Sequence, residues 1–345
     1  MTATIGLIVL AVLFLAYSNG ANDNFKGVAT LYGSATASYA RALGWATATT
    51  FAGSMLAVWL AGDLVKAFSG KGLVPDALIA TFGFKIAVGL AAATTVILAT
   101  RFGFPVSTTH ALTGSLVGAG WIAVGSEVNL RVLGKSFALP LLASPVLSLV
   151  LTTVVYVALR TLRQRLGIER HDVLAPELEK VVSRYTGKLA GIDAQAVLDV
   201  LHYLAAGLVS FARGYQDTPK IAGLMLGLTA VNMSAGGFAV GLAMAIGGLL
   251  HAHRVARTMS SDITDMNPGQ GFTANAVTGA LVLLASPLGL PVSTTHVSCG
   301  SLFAIGMVTG QARWRVIASI LTAWVTTLPV AAVLAMGNYL LVGKL

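Results

Sequence analysis

The hexapeptide PVSTTH occurs twice in this chain, at Pro105–His110 and again at Pro291–His296, each time between long apolar runs. Proline cannot continue a helix from upstream and restricts the residue before it. Serine and threonine are good N-caps. Small and apolar residues follow in an order that suits a helix. Each copy therefore reads as a helix that starts inside a hydrophobic region, which marks a broken or re-entrant helix. In lipid, the free N–H groups of such a start must be satisfied by protein or by a ligand.

The likeness extends beyond the hexapeptide. ILATRFGFPVSTTHALTGSLVGAG surrounds the first copy and LLASPLGLPVSTTHVSCGSLFAIG the second. At one constant offset Leu98 matches Leu284, Ala99 Ala285, Gly103 Gly289, Gly114 Gly300, Ser115 Ser301, Leu116 Leu302 and Gly120 Gly306. Upstream the likeness is weaker. SNGANDNFKGVA (Ser18–Ala29) can be set against FARGYQDTPKIA (Phe211–Ala222), pairing Asp23 with Asp217 and Lys26 with Lys220. Gly33 then meets Gly227 and Gly53 meets Gly247. The chain is read as an internal duplication of about 160 residues per copy, a hallmark of secondary transporters, often in inverted topology.

Composition agrees. Of 345 residues 56% are hydrophobic and 10% charged, with a mean hydropathy of +0.80; soluble domains carry about 25% charged residues. Ala77–Thr100, Leu139–Leu159, Ala230–Leu250 and Val316–Met336 approach the roughly 20 apolar residues that a spanning helix needs. Continuous runs, rather than alternation, exclude a membrane β-barrel. Ile5–Ala16 lacks the basic flank of a signal peptide and reads as a membrane helix. The 38 glycines suit close helix packing in lipid. The net charge of +9 does not indicate nucleic acid: seven of the 22 Lys and Arg lie between Arg160 and Lys188, beside apolar spans. The positive-inside rule accounts for them. A single cysteine, Cys299, excludes an intramolecular disulfide and a cysteine metal cluster.

The expected architecture is an all-α polytopic membrane protein. Two inverted-topology repeats carry broken or re-entrant helices, with about ten to twelve membrane segments. Residues 1–160 form the first repeat, 161–194 a basic cytoplasmic linker and 195–345 the second repeat. Inversion requires an odd number of spans per repeat, which puts both termini outside if the linker is cytoplasmic.

Helix N-termini offer unpaired donors and a partial positive charge, and so bind anions. Ser107, Thr108 and Thr109 add hydroxyls, as do Ser293, Thr294 and Thr295 from the other half. Facing each other across a pseudo-two-fold axis, they form a donor cage for a tetrahedral oxyanion. Taken singly, each motif equally fits the cap of a buried helix. His110 and His296 read as buried, hydrogen-bonded histidines that hold the neighbouring turn.

Asp23 and Lys26 are three residues apart, neighbours on a helix. Asp217 and Lys220 repeat the spacing, with Pro219 between them as a potential helix break. Charges deep in a bilayer are costly and mark function by default. The alternative places these residues at helix ends, with the lysines snorkelling. SSDITDMNPGQG (Ser260–Gly271) reads as a solvated loop, in which Asp262 and Asp265 are weak cation candidates, and His251 and His253 read as solvated.

Two halves, each with a GAND-type motif followed by P-V-S-T-T-H, resemble the PiT family of inorganic phosphate transporters over essentially the whole chain. The resemblance implies an inverted-repeat helical bundle, a homodimer, that imports phosphate with sodium or protons; some relatives carry sulfate. It further implies that Asp23, Asp217 and the six hydroxyls surround the anion and its coupling cations, with sodium contacts at Asp23 and Asp217, and brings in Asn22 and Gln216 beside those aspartates. The family pattern N-D-x-x-N departs here to Lys26 and Lys220, and Gln216 stands in place of the second Asn. Thr50 and Asn275 take the approximate places of the membrane glutamates of sodium-driven members. An Asp with a Lys sums to zero, as an Asp with a bound sodium does. The two ammonium groups are thus expected to occupy the place of coupling sodium, leaving proton coupling open.

Phosphate near neutral pH keeps a proton that a carboxylate can accept; sulfate does not, and meets an unpaired charge. The aspartates thus favour phosphate, with sulfate the runner-up. A hydrolase is disfavoured because each Ser lies three residues before its His with no third orienting group, and because the motif is duplicated. A channel shares the pore chemistry and differs in being unable to move the anion against a gradient. A sensor would need a signalling module beyond the short linker.

Overall fold

A computed structural model of the chain describes residues 2–60, 65, 69–175, 180–228, 231–285 and 292–343. Pro291 and Gly289, matched in sequence to Pro105 and Gly103, lie outside the described residues.

Among the described residues, ten longer helices fall into two sets of five. The first set is α1 (Thr2–Asp23), α2 (Tyr39–Leu60), α3 (Phe82–Arg101), α4 (Thr108–Val124) and α5 (Leu139–Arg165). The second is α6 (Ala194–Ala222), α7 (Met233–His251), α8 (Pro268–Ala285), α9 (Thr294–Thr309) and α10 (Trp314–Val342). Seven helical stretches among the described residues are long and apolar enough to cross a membrane: they comprise α1 from Ala3, α2, α3, Leu130–Arg165 (which includes α5), Ala194–Met225 (which includes α6), α7 and α10. Against the expected ten to twelve membrane segments, the described residues hold these seven; α4, α8 and α9 are largely buried. Between α5 and α6 the polar segment folds as an antiparallel hairpin of β1 (Glu169–Ala175) and β2 (Lys180–Thr186). It docks through Arg184, which donates to the Ala35 carbonyl at 2.6 Å, and Tyr185, which donates to Asn267 Oδ1 at 2.8 Å.

The sets pack across one another in matched pairs. α1 packs on α7 as α6 packs on α2, and α4 packs on α10 as α9 packs on α5. Glycines at matched positions make the crossings possible. A Cβ on Gly20 would lie 1.9 Å from the Met244 carbonyl oxygen, and one on Gly214 2.0 Å from that of Thr50. Gly53 abuts the Phe211 carbonyl and Gly247 that of Tyr17, each at 2.0 Å by the same measure. Small residues at such crossings let two backbones touch where lipid gives no hydrophobic drive between helices.

Two helical hairpins enter this frame. The ends of α3 and α4 away from their turn lie by the α10 terminus and by Val74: Gly83 abuts the Val342 carbonyl and Gly120 the Val74 side chain. The end of α8 away from its turn lies by the linker, where Tyr185 bonds Asn267, and the end of α9 is joined to it through Arg313, which bonds Asp265 at 2.8 Å. The hairpins meet tip to tip: Thr295 Oγ1 donates to the Val106 carbonyl at 2.9 Å.

Three local expectations are corrected. α6 runs unbroken through Pro219 to Ala222, because Pro219 lies within the last turn and the packed frame holds it; the break comes in the first set, where α1 ends at Asp23. Ser260–Gly271 is no solvated loop: a π-helical turn (Thr258–Asp262) leads into it, α8 begins at Pro268, and Ser260, Ile263 and Thr264 are buried against the core. Its aspartates pair with arginines, Asp265 with Arg313 and Asp262 with Arg257. Thr50 and Asn275 are not equivalent positions, since they lie in α2 and α8; they donate to the Ser210 and Gly27 carbonyls at 3.1 and 3.0 Å.

Candidate functional site

Both hexapeptides are helix starts. Ser107 and Ser293 sit in extended backbone as N-caps of α4 and α9, and each hydroxyl accepts the amide three residues on, His110 and His296, at 3.3 Å. Serine supplies the short acceptor that such a start needs. Trp324 donates its indole N–H to the Pro105 carbonyl at 2.9 Å and lies against the His296 ring. His296 Nδ1 is 3.1 Å from the Leu141 carbonyl, and the two histidine rings meet edge to face with centroids 4.6 Å apart.

Where the tips meet, the ends of α1 and α6 contribute five buried ionic side chains. Asp23, Lys26, Arg213, Asp217 and Lys220 are each at most 3% exposed. Lys26 bonds Asp23 Oδ1, Asn22 Oδ1 at 2.8 Å, the Val106 carbonyl at 2.8 Å and Thr295 Oγ1 at 2.6 Å. Lys220 mirrors it, reaching Asp217 Oδ1 and Gln216 Oε1 at 3.2 Å and the Val292 carbonyl at 3.3 Å. Each ammonium thus bonds the carbonyl just before the N-cap serine of its own half. The snorkelling alternative fails, because both lysines end deep inside the protein.

Asn22 secures the first turn. Its Nδ2 donates to Thr100 Oγ1 at 2.8 Å and to the Phe104 carbonyl at 3.0 Å, and its Oδ1 accepts the Val106 amide at 3.1 Å. Gln216 donates to the Val282 carbonyl at 3.3 Å. Thr108 donates to Asp23 Oδ2 at 3.3 Å. The hydroxyls of Thr109 and Thr294 make no hydrogen bond among the described residues, and both threonines are buried beside this cluster.

Two members of the cluster lie outside the sequence reading. Asn19 Nδ2 donates to Asp23 Oδ2 at 2.9 Å, Thr108 Oγ1 at 2.9 Å and Asp217 Oδ2 at 3.1 Å, so it ties both aspartates together. Arg213 donates to Asn19 Oδ1 at 3.0 Å and to Asn24 Oδ1 at 3.2 Å. One signal was available for Arg213: it stands one helical turn before Asp217, within a largely apolar stretch of α6. No cluster of three or more metal-ligating side chains occurs among the described residues. The site gathers hydroxyls, helix-start amides and cations, the donor set that suits an oxyanion.

A model of the Phosphate transporter family matches residues 19–335. The chain is 31% identical to the probable low-affinity inorganic phosphate transporter of Rhizobium meliloti (strain 1021), over 96% of this chain and 94% of that one. It is 24% identical to the chloroplastic inorganic phosphate transporter 2-1 of Arabidopsis thaliana, over 93% of this chain and 69% of that one. Among solved structures, one titled "The sodium-dependent phosphate transporter" superposes with a TM-score of 0.82 at 22% identity, covering 100% of both chains.

Proposed function

Because the chain belongs to the Phosphate transporter family, we propose that it is a secondary transporter that imports inorganic phosphate across the cytoplasmic membrane by alternating access. One observation carries the reading: Lys26, at the end of α1, touches Val106 of the first hexapeptide and Thr295 of the second, so both helix starts converge on one buried ionic cluster. The phosphate oxygens are held by Thr108, Thr109, Thr294 and Thr295, with the amides that Ser107 and Ser293 leave at the two helix starts. Asp23 and Asp217 accept the proton that phosphate keeps and sulfate lacks, which favours phosphate.

The repeats are of inverted topology in this reading, since one hairpin opens by the α10 terminus and the other by the linker. The linker lies in the cytoplasm in this reading, because Arg160–Lys188 carries seven basic residues. Both termini then lie outside. Access alternates as one repeat rocks against the other around the tips of the hairpins.

The lysines define the coupling. Each ammonium fills the side of its aspartate where a sodium ion would be held, so phosphate is taken up without sodium and a proton remains the available coupling ion. Uptake of labelled phosphate into proteoliposomes, with and without excess sulfate, tests the substrate. Saturable uptake resisting a hundredfold excess of sulfate, about 2.7 kcal/mol of discrimination, supports phosphate; equal competition assigns the site to tetrahedral oxyanions in general.

A further inference from the structure

The offset that pairs Asp23 with Asp217 pairs Asn19 with Arg213, a neutral amide with a cation. Within the cluster the other charges are balanced: Asp23 pairs with Lys26, and Asp217 with Lys220. Arg213 is the surplus, so the cluster of three cations and two carboxylates carries one excess positive charge. Its guanidinium is about as deeply buried as any group in the protein, with the residue 1% exposed. Nε lies 3.5 Å from Asp217 Oδ2 and makes no hydrogen bond among the described residues. An uncompensated cation in a low-dielectric interior is strongly unfavourable until a counter-ion arrives.

The guanidinium also fixes a neighbour. It has donors and no acceptor, so it can take only the carbonyl oxygen of Asn19. The amide nitrogen of Asn19 is thereby turned toward Asp23, Thr108 and Asp217. The flipped amide would aim its oxygen at two carboxylates.

We infer that Arg213 is a specificity-determining positioning residue of the transport site, contributed by the second repeat alone. It holds Asn19 as the donor between the two aspartates. It also gives the closed site a net positive charge that an entering oxyanion neutralises, without a co-bound metal cation. This rests on the reading of sodium-independent phosphate transport above.

The test is phosphate uptake by the reconstituted full chain in choline and in sodium media, for the wild type, R213Q and R213K. R213Q is expected to raise the KM for phosphate at least about tenfold in choline, and sodium is expected to lower it again by supplying the missing charge. R213K keeps the charge and a donor for Asn19 but loses the fork that also holds Asn24, so its KM is expected to rise only about threefold, less than that of R213Q, and to ignore sodium. A wild-type KM for R213Q in choline overturns the inference, as does one equal loss in both variants and both media, the mark of a structural role. If R213Q does not fold, a folded R213K with a tenfold loss overturns it. Failure of the underlying reading looks different: the wild type itself then needs sodium, and R213Q is compared with it in sodium, where equal KM values overturn the role of Arg213.

Discussion

The ammonium of Lys26, at the end of the first helix of one repeat, lies 2.6 Å from the hydroxyl of Thr295, in the first turn of a helix of the other. One side chain thereby joins the two copies of a duplicated motif and fills the space beside Asp23. If that ammonium stands where a cation would otherwise bind, restoring an asparagine there restores a need for the cation. K26N and K220N, alone and together, are expected to lose about tenfold or more of sodium-free phosphate uptake and to recover part of it in sodium. Uptake rates across a sodium series check this.

Within the buried pair each charge depends on the other. Removing one partner leaves a lone charge inside the protein, at about 3–5 kcal/mol, whereas replacing both leaves none. Asp23→Asn is therefore expected to lower the thermal midpoint of the detergent-solubilised protein sharply. Asp23→Asn with Lys26→Met is expected to lower it much less. Thermal unfolding of the two variants side by side distinguishes the cases.

The helix crossings depend on the absence of a side chain at Gly20 and Gly214. Alanine at either is expected to destabilise by about 1–3 kcal/mol, because the new carbon meets a carbonyl oxygen on a facing backbone. Gly44, where a Cβ meets nothing within 4 Å, is the control. Alanine there is expected to be neutral or stabilising by up to about 1 kcal/mol. Thermal midpoints of the three variants check the contrast.

The two N-caps are geometrically alike, since both serine hydroxyls accept their amide at 3.3 Å. Ser107→Ala and Ser293→Ala are each expected to lose about 0.5–2 kcal/mol of stability. Each is also expected to raise the KM for phosphate, because the freed amides no longer hold their orientation toward the site. Uptake kinetics with thermal midpoints for both variants test whether the halves contribute alike.

What the sequence made legible follows from what duplication preserves. The hexapeptides and the Asp–Lys pairs keep their residue types in both halves, so comparing the halves exposes them and the chemistry they suit. Asn19 and Arg213 occupy matched positions with unlike residues, so the same comparison passes over them, although they hold the two aspartates in register. Pro219 misleads because local backbone preference is weaker than a packed helical frame. The polarity of Ser260–Gly271 misleads in the opposite sense. Its turn-forming residues are spent on capping, as where Asn267 and Gln270 exchange hydrogen bonds between backbone amides and side-chain oxygens at 2.8 and 3.0 Å.

In the proposed mechanism two lysines stand in for coupling sodium at a phosphate site. Its most direct test is labelled-phosphate uptake by the wild-type protein in proteoliposomes with sodium fully replaced by choline. Saturable uptake with a KM unchanged by sodium is expected. A steep, saturable requirement for sodium would contradict it.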